Sequence, residues 1–499
     1  MKKQQNLPRN EKVEIVSLKG SEKANLKYSI LDGAFATAAT KIVDSYSIPF
    51  IFSMGASKVE VAMLDSLQSL ARGISQLPGV KLTEKLRSRK LLWNICSALQ
   101  RLMLLPIIFM LFSGINIVIL AIAFFALSTF FMALKSPAWT SLMGDIVPEN
   151  MRGKFFARRN MLMGLTSLVA ILAIGSMISS FGMQGNMLQG YALAFIISLV
   201  LGLFSVMLVF LRIEEPPYMP RYNYASPFKL DFSEAGRWLS VNRNYASFTA
   251  FIALMQFSVR IASPFIAVYI LSELQFGIAW LAAIMALTTF SETLSYRHWG
   301  KAVDIFGERT ILAVTGILVI LIPISWLFAS IPAHGLLIAI LDGFAWSGFD
   351  TAAFAFNLSS MSREKRLSYV GKHNTIKEFS MFAGASAGGI LSHFFDSSPM
   401  LALTTIQSLF LASFILRAAS LSLLPAIKNA RSSSMSLPVR KAFVELVARQ
   451  PFEGTMGTIL LPVKYTRKGY QSASESIRRV RRKVKELLYR IKYLRLGAY

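Results

Sequence analysis

The chain has 499 residues, 54% hydrophobic and 16% charged, with a mean hydropathy of +0.49 and a formal charge of +26. Long apolar runs recur through residues 29–424, which excludes a set of soluble domains with alternating polar faces. A single cysteine, Cys96, excludes an internal disulfide and a cysteine metal site, and His298, His334, His373 and His393 have no ligand spacing. No Walker A sequence and no nucleophile–base constellation is present. Neither ATP hydrolysis nor any other enzyme activity is expected, and no cofactor is implied.

Residues 1–28 form a polar, basic N-terminal segment. It is a poor signal peptide, and the first span is expected to remain as an uncleaved helix. A span needs about 20 apolar residues to cross the hydrocarbon core. Twelve candidates follow in order: 29–53, 57–78, 91–113, 115–140, 155–181, 187–211, 245–272, 276–297, 310–331, 334–358, 367–394 and 399–424. Lys and Arg crowd the segment before span 1 and the connections after spans 2, 4 and 10. The alternate loops, 113–116, 181–190, 330–334 and 395–400, are short and nearly uncharged. Positive loops stay in the cytoplasm, so both termini are expected inside.

Residues 212–244 break the apolar pattern with mixed charge and four prolines, Pro216, Pro217, Pro220 and Pro227. They read as a cytoplasmic linker between a 29–211 half and a 245–424 half. The halves carry matching residues at one constant offset. Asn25, Lys41, Ile42, Ile51 and Ser53 match Asn244, Arg260, Ile261, Ile270 and Ser272. Internal repeats are a common plan of secondary transporters.

The loop after span 8 reads Gly300-Lys-Ala-Val-Asp304-Ile-Phe-Gly307-Glu-Arg309. It resembles the G-x-x-x-D-x-x-G-x-R signature of the major facilitator superfamily. Glu84-Lys-Leu-Arg-Ser-Arg89-Lys90 occupies the place of the first copy in degenerate form, with Val80 and Arg87 where the glycines belong. Asp145-Ile-Val-Pro-Glu-Asn-Met-Arg152-Gly153 resembles the family's loop between helices 4 and 5. The resemblance covers roughly 25–424. It implies an all-α membrane fold of twelve helices in two pseudo-symmetric six-helix bundles.

Physically, the loop motif suits a cytoplasmic gate. Glycines permit a tight reversal, and an acid can sit against a helix N-terminus of the other half. The gate candidates are Glu84, Arg89, Arg152, Gly300, Asp304, Gly307, Arg309 and Arg366, with Glu84 facing 366–368 and Asp304 facing 153–155. Plain loop capping is the alternative.

Charges at membrane depth are functional candidates. They are Lys41, Asp44, Asp65, Arg72, Arg101, Lys135, Arg260, Glu292, Asp342, Asp350 and Glu378. The resemblance implies that helices 1, 4, 7 and 10 line the cavity. Lys41, Asp44, Lys135, Arg260, Asp342 and Asp350 then become the substrate or coupling candidates. Lys41 and Arg260, matched across the repeat, could form an anion site. Alternatively they pair internally, Lys41 with Asp44 and Arg260 with Asp350, or Asp44 or Asp350 relays protons. Asp65 is expected to pair with Arg101, and Glu292 with Arg158 or Arg159. The small residues 384–389 of span 11 suit close helix packing.

The tail, 425–499, holds 17 Lys and Arg against 4 Asp and Glu. Ile477, Val480, Val484, Leu487, Leu488, Ile491 and Leu494 follow a helical 3–4 spacing, which suits an amphipathic helix on anionic lipid rather than nucleic acid. The leading expectation is a proton-coupled, alternating-access transporter of a small polar or anionic solute in the plasma or inner membrane. An exporter of amphipathic drugs and a non-transporting receptor or scaffold are the alternatives.

Overall fold

The computed structural model describes residues 20–148, 151–217, 243–360, 363–397 and 403–429. All regular structure among them is helical. Helix α1 runs Gly20–Ser53 and α2 Lys58–Leu86. The third expected span is two helices, α3 (Arg89–Leu102) and α4 (Leu104–Ser113), broken at Met103. Then come α5 (Val118–Ile146), α6 (Arg152–Met183) and α7 (Met187–Arg212). Beyond the linker, α8 (Arg243–Ala262) is followed by a break at Ser263 and Pro264. A short α9 (Phe265–Val268) leads into a π turn, Tyr269–Glu273. The remainder is α10 (Gly277–Phe306), α11 (Glu308–Leu327), α12 (Pro332–Ser359), α13 (Arg363–Ser397) and α14 (Thr405–Ser420), which ends in a 3-10 turn, Leu421–Ala426.

Nine of the described spans are long and apolar enough to cross a membrane. Three of the twelve expected spans, α1, α2 and α13, fall outside that set although they have 34, 29 and 35 residues. Their polarity has a physical source. They carry Asp32, Lys41 and Asp44; Lys58, Asp65 and Arg72; and Lys377, Glu378 and Asp396. Membrane depth tolerates such charges where protein or a cavity, not lipid, surrounds them.

Neighbour relations repeat along the chain. Helix α1 packs on α7 as α8 packs on α14. Helix α5 packs on α2 and α3 as α12 packs on α10 and α11, and α3 meets α7 as α11 meets α14. Between the two sets, α2 lies along α13 and α6 along α10. Matched residues do matched work. Asn25 donates to the Glu214 carbonyl at 3.0 Å and accepts from the Glu214 N–H at 2.8 Å. Asn244 does the same with Lys428 at 3.0 and 2.7 Å. Each asparagine thereby satisfies backbone groups just beyond the last helix of its own set. Ser198 donates to the Ala39 carbonyl at 2.7 Å and Ser413 to the Ser258 carbonyl at 2.6 Å.

Close approach explains the small residues of α13. A side chain at Gly384 would run into the Phe257 carbonyl of α8, and one at Gly388 would lie 2.5 Å from the Ile261 carbonyl. On the other flank, a side chain at Gly175 of α6 would meet Ala282 of α10, and one at Gly164 would lie 2.9 Å from the Thr293 hydroxyl.

Candidate functional site

Helix α2 presents Lys58, Asp65 and Arg72 at intervals of seven, which keeps them on one stripe with a drift of about 20° per step. The rise places them roughly 10 Å apart along the axis. Ser57 starts the helix with a capping box to Glu60, which fixes the register of the stripe at that end. Each residue meets an opposite charge from the second half of the chain. Lys58 pairs with Asp396 of α13 at 2.6 Å, Asp65 with Arg260 of α8 at 2.7 Å, and Arg72 with Glu378 of α13 at 2.9 Å. The end pair is well exposed. The two inner pairs each combine a nearly buried acid with a half-buried arginine: Asp65 at 9% against Arg260 at 26%, and Glu378 at 7% against Arg72 at 23%.

The Asp65–Arg260 contact is single. It uses Oδ1 of Asp65 and one terminal guanidinium nitrogen, while the buried Oδ2 of Asp65 and Nε of Arg260 have no partner among the described residues. Arg260 stands in the last turn of α8, where a cation suits the negative end of the helix, one turn before the break at Ser263 and Pro264. Arg72 also donates to the Ser69 hydroxyl at 2.9 Å, and Lys377 lies 3.7 Å from the other oxygen of Glu378.

Several expected partnerships are corrected. Arg260 pairs with Asp65, not Asp350. Arg101, expected to hold Asp65, instead donates to the Thr40 hydroxyl at 2.9 Å and the Ala36 carbonyl at 3.3 Å, clamping α3 to α1. Lys41 and Asp44 lie within electrostatic reach but form no ion pair within 4 Å among the described residues. Asp44 and Asp350 are exposed; Asp350 has Glu292 and Lys377 within electrostatic reach, and Asp342 has Arg417 and Glu292. Glu292 accepts from the Tyr296 hydroxyl rather than meeting Arg158 or Arg159.

Lys135 is buried instead of facing an open cavity. Its Nζ donates to Ser97 and to Gln100, each at 2.7 Å, and stands 4.4 Å from the Trp93 ring centroid. Trp93 stacks on Trp139 at 4.4 Å, and the Arg159 guanidinium lies over the Trp139 ring, 5.4 Å from its centroid. Two cations thus flank a tryptophan pair inside the first half, an arrangement that spacing alone does not announce. Asp32 accepts from the Ser205 hydroxyl, joining α1 to α7.

The gate candidates divide. Arg89 is fully buried and serves its own half. It pairs with Asp145 of α5 and binds Glu215 just after α7 at 3.1 Å, while its own N–H and the Ser88 hydroxyl also reach Glu215, at 2.8 and 2.7 Å. Burial raises the Glu215 pKa, but these hydrogen bonds outweigh it and hold the carboxyl below its ordinary 4.5. Gly300 is helical, not part of a reversal, because α10 continues to Phe306; Gly307 alone makes the turn, at φ +82°. Arg309 is exposed, and its backbone N–H is held by Asn429 at 2.9 Å. The side chains of residues 152–154 and 366–368, and with them most of the expected docking sites for Glu84 and Asp304, lie outside the described residues, as does the basic tail beyond 429; Phe155 is described and packs in a core cluster with Leu142 and Val209.

Residues 33–385 match the family model of the Major Facilitator Superfamily, and the chain belongs to that superfamily. It is therefore a multi-pass membrane transport protein. No curated protein sequence matches it. Solved structures do. A point mutant of the nucleoside transporter NupG aligns with a TM-score of 0.64 and 16% identity, over 81% of this chain and 100% of that one. A bacterial homologue of the human lysosomal transporter Spinster, inward-facing and unoccupied, aligns with a TM-score of 0.56 and 14% identity, over 90% and 100%. At such identities the likeness is one of fold.

Proposed function

We propose that the chain is a twelve-span secondary transporter that moves a small polar or anionic solute by alternating access between the 29–211 and 245–424 halves, driven by a proton gradient. Both termini face the cytoplasm in this reading, which makes the Lys58 end of α2 the outer end, and the basic tail rests on anionic lipid. The observation that carries the proposal is the Asp65–Arg260 pair. It joins the halves within the span and leaves an arginine partly accessible beside a helix break. Discontinuous helices mark substrate sites in many transporters. A guanidinium can grip a carboxylate or phosphate at two points. An interior with charges of both signs suits a polar solute better than an amphipathic drug.

Reconstitution in liposomes tests this. A panel of labelled nucleosides, sugar phosphates and carboxylates is offered under an imposed pH gradient, nucleosides being included because a protein of similar fold carries them. Saturable uptake that collapses with a protonophore is expected. Uptake no faster than in protein-free vesicles, together with expulsion of amphipathic dyes, would replace it with the drug-export reading.

A further inference from the structure

We infer that the second half carries a separate binding site for a small organic amine, in the cavity between the π turn Tyr269–Glu273, the α11–α12 connection and the start of α14. This site goes beyond the transporter reading and does not depend on it.

The cavity measures about 540 Å³, the size of a small-molecule site. Its lining residues all fall between 269 and 407, so it belongs to one half rather than to the space between the halves. Its polar wall is one connected hydrogen-bond network. Thr404 starts α14 with a capping box: its hydroxyl accepts from the Gln407 N–H at 3.2 Å, and the Gln407 side chain accepts from the Thr404 N–H at 3.1 Å. The same two side chains reach across to the π turn. The Thr404 hydroxyl donates to Oε2 of Glu273 at 2.7 Å, and the Gln407 amide donates to the Tyr269 hydroxyl at 3.2 Å. In the turn itself the Leu274 N–H reaches the Tyr269 carbonyl, five residues back, at 2.9 Å. Single turns of this wider register recur at functional sites. Most of the remaining lining is apolar: Leu274, Leu327 and Ala329.

The chemistry of the lining selects the ligand. Glu273 is its charged residue, and it forms no ion pair within 4 Å among the described residues. Lys58 lies within electrostatic reach of Glu273 but is held by Asp396 at 2.6 Å. The network uses Oε2 of Glu273, while Oε1 accepts no hydrogen bond among the described residues, so the carboxylate keeps an acceptor for a ligand. A carboxylate braced by a neutral hydroxyl and offered to a cavity favours a cation, through a charge-assisted hydrogen bond. A divalent metal fits poorly. Calcium takes about six to eight oxygens, several of them from carboxylates, and no group of three or more acidic, His or Cys side chains that could hold a metal occurs among the described residues. An ammonium group needs one carboxylate, and Leu274, Leu327 and Ala329 favour a hydrocarbon body attached to it. An anion is disfavoured although α14 begins here, because Thr404 already caps that helix and Glu273 already supplies negative charge at its start.

The test titrates the full chain in lipid nanodiscs with benzylammonium, read by calorimetry against empty nanodiscs. Benzyl alcohol and benzoate serve as the neutral and anionic analogues. Benzylammonium should bind saturably and about tenfold or more tighter than either analogue. Glu273→Gln keeps an acceptor for Thr404 but removes the charge, and should weaken binding by about tenfold or more. Ser330→Trp, at an exposed lining position, should fill the cavity with the carboxylate intact and abolish binding; it carries the test if Glu273→Gln does not fold. Asp44→Asn and Asp350→Asn, which remove acids elsewhere in the spans, should bind as wild type does. No saturable binding, equal binding of benzyl alcohol, tighter binding of benzoate, or binding that persists in Glu273→Gln or Ser330→Trp overturns the inference. A wild type that binds no amine while Glu273→Gln only lowers the melting temperature makes Glu273 a brace for α14 and overturns it as well. Nanodiscs expose both faces and no transport is read, so these outcomes stand apart from the success or failure of the transporter reading.

Discussion

Removing either partner of the Arg72–Glu378 pair should be costly, and unequally so. Arg72→Gln leaves Glu378, 7% exposed, with Lys377 at 3.7 Å as its remaining cation, and that lysine is itself 32% exposed. Stranding a buried partner in this way costs about 3 kcal/mol. Glu378→Gln leaves Arg72 with its Ser69 hydrogen bond and more access to solvent, so about 1–2 kcal/mol is expected. Neutralising both should cost about 1–2 kcal/mol in total, far below the sum, a coupling of roughly 2–3 kcal/mol. Unfolding of the four proteins in mixed micelles, followed by tryptophan fluorescence, measures the cycle. If the double variant loses the sum of the singles within about 0.5 kcal/mol, the pair is not an energetic unit and the reasoning fails.

Gly307→Ala should lower the yield of folded protein, because φ is +82° there, while Gly300→Ala in the open interior of a helix should be neutral or stabilising by up to about 1 kcal/mol; size-exclusion profiles and melting temperatures separate the two. Gly175→Val should overpack α6 against Ala282 and Tyr46 at a cost of about 1–3 kcal/mol, whereas Gly144→Ala, whose added Cβ meets no heavy atom within 4 Å among the described residues, should not change the melt. Glu215 gives a pH signature. Its folded pKa is lowered, so its contribution is present above the ordinary value of 4.5 and fades as pH falls through the folded value. The melting advantage of wild type over Glu215→Gln should therefore be full at pH 7 and vanish in acid; an advantage that grows in acid would contradict the Arg89 arrangement.

Much of the fold is legible because apolar length is a strong signal at membrane scale. The helix breaks are not. Residues 245–272 read as one continuous span, yet α8 stops at Ala262, and Pro264 is the local cue that a count of apolar residues passes over. The internal match has mixed success for a physical reason. Asn25 and Asn244 bind backbone, which the repeat preserves, so they do the same work in both halves. The charges at Lys41 and Arg260 depend on side chains for partners, and the halves do not share those. Arg260 finds Asp65, and Lys41 has no hydrogen bond or ion pair among the described residues. Pairing by equal depth within one half is the weak step. The interval of seven linking Lys58, Asp65 and Arg72 is visible in the sequence and marks a stripe directed at a neighbouring helix. That Lys135 sits on Trp93 depends on the α3–α5 packing, which no linear pattern encodes.

The two most extensive contacts between the chain's halves among the described residues differ in kind. Along α6 and α10, Gly164 meets Thr293 and Gly175 meets Ala282, so backbones approach through small side chains. Separating them forfeits dispersion contacts, which lipid tails or water partly replace, and no charge is stranded. Along α2, separation must dispose of paired charges at three depths, and of these the Lys58–Asp396 pair is the one with both partners well exposed. The cost of parting the small-residue flank therefore has no term from these glycine contacts that depends on charge. The ionic flank therefore carries the larger electrostatic cost of parting α2 from α8 and α13, and neutralising one partner of a pair changes that cost.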